Sequence, residues 1–427
     1  MGKRLQARQL FAEALAELAP ARLLEAQLRC DGRTLRLPDA VIELPSRLLI
    51  LAFGKAANAM AHAWQRITSD YTGQVAGVLC SPDLAPDPEG WQTFRGGHPA
   101  PNIASQLAAQ AMLRAARELQ TPALVVYLIS GGGSALVETP LDVSLANLQA
   151  TYQALVGGGA PITAMNAIRK HLSAFKGGRL ARAAQRDGIR QLSLILSDVP
   201  PGELDSVASG PTLPDRSTAD DCYQLQEQWQ FPLPPRVGQV FRERHLQETP
   251  KPGDPAFEHA HWHLLADNHQ ACNVLAQHAK KAGWEPVIDH AMDEAEVGEA
   301  ALYLTDRLHE LRRANPRACV IAGGEVRVKV TGASGQGGRN QQFALECVRY
   351  LRDDETVFSA GTDGVDGNSR ATGAIADAGT EARARAAGKD IQASLQHFDA
   401  YPLFAALGDA IETGPTNNNL RDLRLLF

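Results

Sequence analysis

The sequence predicts an α/β protein of two domains with largely parallel sheets, and three observations carry that reading. Continuous apolar runs such as RLLILAF from Arg47, ALVVYLI from Ala123 and LSLIL from Leu192 suit strands covered on both faces. The first run is bounded by Gly54 and followed by apolar residues at helical spacing, and the second leads into Ser130 and three glycines, the layout of strand–turn–helix units. At 427 residues the chain is long enough to bury two cores, and the polar, proline-rich stretch before residue 256 places the division at 1–255 and 256–427.

Composition narrows the function classes. Hydrophobic content of 44% with 21% charged residues is that of a globular protein, and a net charge of −6 argues against a nucleic-acid surface. No stretch approaches the ~18 apolar residues that span a bilayer, and no signal-peptide pattern is visible, so a cytoplasmic protein is expected. Six scattered cysteines without a CxxC pair predict buried free thiols, with neither a disulfide framework nor a zinc site built on them.

Taken in order, residues 4–28 read as one or two packing helices. RLLILAFGKAANAMAHAW (47–64) follows as strand, turn and helix, with Gly54 and Lys55 in the turn where such sheets hold ligands. A solvated lysine is the plain alternative. Gln74–Cys80 is a further strand, and GGHPAPN fixes His98 in a turn where it either binds a substrate oxygen or serves structure. In ISGGGSAL, Ser130, Gly131, Gly132, Gly133 and Ser134 form a loop whose N–H groups can approach a ligand closely. It is not GxGxxG, and no acidic partner follows, which weighs against a dinucleotide site.

MNAIRKHLSAFKGGRL (165–180) predicts a helix ended by Gly177 and Gly178; its basic residues form a solvated face, or Arg169 and Lys176 meet an anionic substrate. Asp198 ends a buried strand, placed to hold Mg²⁺, take a hydroxyl proton or cap the next helix. Residues 215–256 predict a helix near 220–229 and then a linker. His259, His261 and His263 alternate on a strand, but no carboxylate or fourth histidine is arranged with them in sequence, which disfavours a metal site.

The second half predicts a strand–turn–helix with Asn268 at the turn, strands at 285–288 and 318–322, and a long helix at 294–312. VRVKVTGASGQGGRNQQFALECVRYL (326–351) then predicts a strand at 326–330, a glycine loop with Gly337 and Gly338, and a helix from Arg339. A cation in the first helical turn opposes the dipole unless an anion sits beside it, so this loop is expected to hold phosphate. Asp363 and Asp366 in GTDGVDG suit a Mg²⁺–phosphate pair or a plain turn. A strand at 356–360 precedes them, and the chain closes on a strand carrying Leu423, Leu425 and Phe427.

FGKAANAMA, GGHPAPN, SGGGSAL, MNAIRKHLSAFKGGRLA, SDV with SGPT, GGE with GQGGRN, TDGVDG and GPT with NLRDL occur in this order along most of the chain. In them the chain resembles the glycerate 2-kinase family, whose C-terminal half is the MOFRL domain and whose members are often labelled hydroxypyruvate reductase. The resemblance implies a Rossmann-like first domain, a MOFRL-type second domain and an active site in the cleft between them. It implies transfer of the γ-phosphoryl of ATP, with Mg²⁺, to the 2-hydroxyl of D-glycerate or a related hydroxy acid. Lys55 and Arg339 then correspond to the catalytic cations, and Asp198 and Asp363 to the carboxylates, with Asp198 favoured as base. Asp198, Asp363 and Asp366 become metal-ligand candidates, and Glu325 and Asn340 join the ligand loops. NSRATGA after TDGVDG, GPTNNN and GGEVRV depart from the family pattern. An NAD(P)H-dependent hydroxypyruvate reductase and a non-catalytic binding regulator are the rival readings. The partner expected is a small molecule, without nucleic acid or membrane; a homodimer is compatible with a sequence that leaves oligomeric state open.

Overall fold

The computed structural model describes residues 2–83, 86–332 and 335–427. The chain forms two compact units, Pro20–Leu265 and Met1–Ala19 with Ala266–Phe427. The break therefore falls after Leu265 rather than at 255, and the first helix, Lys3–Glu17, belongs with the C-terminal unit. Its side chains explain why: Phe11 packs on Phe358 with ring centroids 4.9 Å apart, and Lys3 pairs with Asp354 at 3.1 Å. Among the described residues, no helix is long and apolar enough to cross a membrane.

The Pro20–Leu265 unit opens with a small antiparallel sheet, β1 (Arg29–Cys30), β2 (Thr34–Arg36) and β3 (Val41–Glu43). The main sheet contains β4 (Arg47–Phe53), β5 (Gln74–Ser81), β6 (Gln92–Arg95), β7 (Ala123–Ile129), β8 (Ile189–Leu196) and β9 (Ala260–Ala266), in the order β6-β5-β4-β7-β8-β9. From β6 to β8 every pairing is parallel. All seven residues of β7 are buried, as are six of seven in β4, which is why both sequences are apolar throughout. Helix Ile103–Glu118 lies against this sheet, started by a reciprocal cap between Asn102 and Ser105.

Two local expectations change. The helix expected to run to Gly177 stops at His171, and Gly178, at φ +78°, instead precedes helix Arg179–Ala184. The expected linker contains a further helix, Pro235–Arg242, whose Val237, Val240 and Phe241 are buried. Pro235 suits a helix start, where no intrahelical N–H bond is lost, so prolines here open a helix rather than interrupt one.

In the C-terminal unit, β10 (Glu285–Ile288), β11 (Ala318–Ala322), β12 (Thr356–Gly361), β13 (Gly373–Asp377), β14 (Ala410–Ile411) and β15 (Asp422–Leu426) form one sheet in the order β10-β11-β15-β12-β13-β14. Only β10 and β11 are parallel; every other neighbour is antiparallel, against the expectation of a largely parallel second sheet. β11, β12 and β15 are buried on both faces, so their residue patterns carry no signal of direction. The strand expected at 326–330 is absent apart from a single bridge between Arg327 and Glu296. Val330 is 49% exposed, and the segment forms one wall of a cavity described below. The six cysteines are free, and five are buried.

Candidate active site

Because β6, β5, β4, β7 and β8 run parallel, the loops leaving their C-terminal ends share one edge of the sheet. The chain builds outward from β4 to β6 on one side and from β7 to β8 on the other, so the order reverses between β4 and β7. Ligands bind at such a reversal because the two loops diverge and leave a crevice.

The loops on either side of that reversal are stitched together. Ser130 N–H donates to the Phe53 carbonyl at 3.2 Å and Lys55 N–H to the Gly131 carbonyl at 2.9 Å. Ala56 N–H donates to Ser130 Oγ at 2.9 Å, so this hydroxyl works first as a stitch. Gly54 has φ +120°, and a Cβ there would lie 2.2 Å from Ser130 Oγ. A Cβ on Gly132, at φ +80°, would lie 3.2 Å from both Lys55 Cγ and His98 Cδ2. Lys55 and His98, expected separately from two motifs, therefore meet over the glycine loop. The N–H groups of Gly131, Gly132, Gly133 and Ser134 have no hydrogen-bond acceptor among the described residues. A cation, an imidazole and four unsatisfied donors are groups able to hold an anion. Gly133 packs under Phe53 and Ala208, and Ser134 Oγ is 2.8 Å from Ser209 Oγ. Asp198 follows the end of β8 in a half-buried position.

Lys176 does not reach this edge. It is fully buried against Glu138, which also accepts from Ser173 Oγ at 2.5 Å and from the Tyr152 hydroxyl at 2.5 Å. Burial lowers the Lys176 pKa, and Glu138 opposes that shift. Arg169 lies over the Tyr152 ring at 4.8 Å. Lys176 thus serves an internal polar cluster around Glu138, and half-buried Arg169 stands beside that cluster on Tyr152.

In the C-terminal unit the helix expected to receive phosphate does begin at Arg339, but its N-terminus is taken by the protein's own carboxylate. Asp366 Oδ1 accepts from Asn340 N–H at 3.1 Å and Oδ2 from Gln341 N–H at 2.9 Å, with both side-chain amides adding bonds. Burial pushes the Asp366 pKa up to about 6, against the pull of those donors. Asp366 is thereby removed from the expected metal pair. A Cβ on Gly338 would lie 2.3 Å from Asp366 Oδ1, which accounts for glycine at that position.

Arg339 also finds its anion within the protein. Its Nε and Nη2 grip Asp422 at 2.6 and 3.1 Å, and Nη2 lies 2.8 Å from Glu325. Burial works to lower its pKa, but Asp422 and Glu325 outweigh that and raise it. Asp422 is fully buried between Arg339 and Arg424; burial would raise its pKa, and the two guanidiniums hold it below the usual carboxylate range. Arg339 itself remains 37% exposed and, with Gly337 and Gly338, lines a cavity of about 330 Å³ walled by Val328, Val330 and Phe398.

Asn268 is a brace. Its Nδ2 donates to the carbonyls of Leu420 and Asp422 at 2.7 and 2.9 Å, and its Oδ1 accepts from Gly324 N–H at 2.7 Å. Asn340 Oδ1 accepts from Ser359 Oγ at 2.6 Å. Asp363 Oδ1 accepts from Val365 N–H at 3.0 Å within its loop. Asp422 is the residue sequence reasoning missed; its signal was an acid between two arginines, RDLR, in an otherwise apolar final strand.

Residues 6–242 match a family described as a domain of unknown function (DUF4147), and residues 318–422 match the MOFRL family. The chain is 32% identical to a glycerate 2-kinase of Pyrococcus horikoshii, over 97% of this chain and 94% of that one. It is 36% identical to a putative hydroxypyruvate reductase of Agrobacterium vitis, over 89% and 87%. The crystal structure of a glycerate kinase from Thermotoga maritima superposes with a TM-score of 0.83 at 30% identity, covering 99% of both chains.

Proposed function

The chain belongs to the glycerate 2-kinase family, and from that premise we propose that it transfers the γ-phosphoryl group of ATP to the 2-hydroxyl of D-glycerate, giving 2-phosphoglycerate and ADP. The observation that carries the reading is the meeting of Lys55 and His98 over the unsatisfied N–H groups of Gly131–Ser134. Phosphoryl transfer needs little covalent help from a protein; it needs the phosphate oxygens held and their charge offset. Fixed backbone donors hold those oxygens, and Lys55 offsets the charge that moves toward the leaving group.

Asp198 receives the proton of the attacking hydroxyl, which a carboxylate at the C-terminal edge of a parallel strand is placed to do. Arg339 presents a guanidinium whose orientation Asp422 and Glu325 fix, so it meets a substrate anion without reorganising. Oxygen donors suit Mg²⁺, and Asp363 would hold the ion that accompanies the triphosphate and shares its negative charge, whereas both oxygens of Asp366 are already engaged.

The hydroxypyruvate reductase named among the relatives would need a nicotinamide site, and the loop after β7 lacks the dinucleotide fingerprint. The test is release of ADP from ATP and Mg²⁺ with D-glycerate, L-glycerate and related hydroxy acids, run beside hydroxypyruvate with NADH or NADPH. ADP release dependent on D-glycerate is expected. Nicotinamide oxidation without any acid-dependent ADP release overturns the proposal.

A further inference from the structure

The alternating histidines of HAHWH acquire in three dimensions the carboxylate that their sequence neighbourhood lacks. His261 and His263, two apart on β9, project from one face of the strand. Asp39, in the turn between β2 and β3, meets both: its Oδ1 lies 2.8 Å from His263 Nδ1 and its Oδ2 3.3 Å from His261 Nε2. One ligand atom from each of the three residues falls within 4.8 Å of the others, the spacing expected around an ion that binds nitrogen and oxygen at about 2.0–2.2 Å.

Hydrogen bonding fixes one of the imidazoles. Gln27 Nε2 donates to the Leu265 carbonyl at 2.8 Å, so the amide oxygen of Gln27 must be the atom 2.9 Å from His263 Nε2. That nitrogen carries a hydrogen, because two acceptors would otherwise face each other. Nδ1 is then directed at the Asp39 carboxylate, and a lone pair cannot rest 2.8 Å from an anionic oxygen without positive charge between them. Either a second proton or a metal ion supplies it. His261 favours the metal: its Nε2 is buried and makes no hydrogen bond among the described residues, a defect that a proton on His263 does not repair. Holding the remote imidazole nitrogen with an oxygen acceptor is also how proteins orient histidine toward a metal.

We propose that Asp39, His261 and His263 bind one divalent cation of the Zn²⁺ class, with water completing the coordination, and that the ion clasps the β2–β3 turn to the edge strand β9. The second such group, His269, His290 and Asp293, fits a metal less well. Its imidazoles stack with centroids 3.7 Å apart and planes 27° from parallel, which keeps their lone pairs from meeting at one point.

The test uses the full-length protein, stripped with a chelator and titrated with Zn²⁺ by calorimetry and with Co²⁺ by visible absorption. Asp39→Asn and His261→Gln serve as variants because their side chains are 48% and 36% exposed, and circular dichroism checks that both fold. One saturable equivalent in the wild type is expected, weakened at least tenfold in each variant, with Zn²⁺ raising the Tm of the wild type alone. Absence of saturable binding in the wild type, or equal affinity in the wild type and both variants, overturns the proposal.

Discussion

Arg339 illustrates how far a single residue can be read. A cation at a helix start broke a local rule and pointed to an anion beside it, and that inference holds. The anions, however, are the protein's own: Asp422, 83 residues further on, and the nearer Glu325. Removing one member of a buried ion pair strands the others, at a cost of roughly 3 kcal/mol or more. Asp422→Asn is therefore expected to lower the Tm of the C-terminal unit strongly at neutral pH. The pH dependence has a definite sign. The folded pKa of Asp422 lies below its unfolded value, so its contribution is complete above the unfolded carboxylate range and fades as pH falls through the folded value. Calorimetry should thus find the gap between wild type and Asp422→Asn narrowing below about pH 4. A gap independent of pH would show that the charge of Asp422 is not what stabilises the fold.

At the scale of elements, the glycine loop after β7 does its work through backbone conformation. Gly132→Ala would force an L-residue into a left-handed conformation, costing about 1–2 kcal/mol, and would place a methyl against Lys55 and His98. Turnover is expected to fall at least tenfold while the Tm drops only modestly; unchanged kinetics would separate this loop from the reaction. The loop was legible because three successive glycines after a buried strand have few other uses. β4, β7 and β8 were legible for the related reason that strands covered on both faces need unbroken apolar sequence. Strand direction in the C-terminal sheet was not, since β15 enters antiparallel between β11 and β12 and burial on both faces leaves no mark of direction in any of the three. Nor was the fate of residues 326–330, whose alternation serves a cavity wall rather than a sheet. Lys176 was misread because Glu138, the partner that explains it, lies 38 residues away in sequence.

For the whole molecule, the order of motifs along the chain carried the functional class, because phosphoryl transfer draws its cations and carboxylates from many loops. Partners brought together over long separations escaped that reading: helix Lys3–Glu17 joining the C-terminal unit, Asp366 closing the helix at Arg339, and Asp39 reaching β9. The central claim is that Lys55, over the Gly131–Ser134 loop, offsets charge on a phosphoryl group in transit to a hydroxy acid. Phosphorus NMR of products formed from ATP, Mg²⁺ and D-glycerate, with wild type and Lys55→Ala compared at equal concentration, tests it most directly. The wild type should accumulate 2-phosphoglycerate, and the variant should form it slower by about 10²-fold or more with its Tm intact. Equal product from both proteins, or no phosphorylated acid from the wild type, would contradict the account.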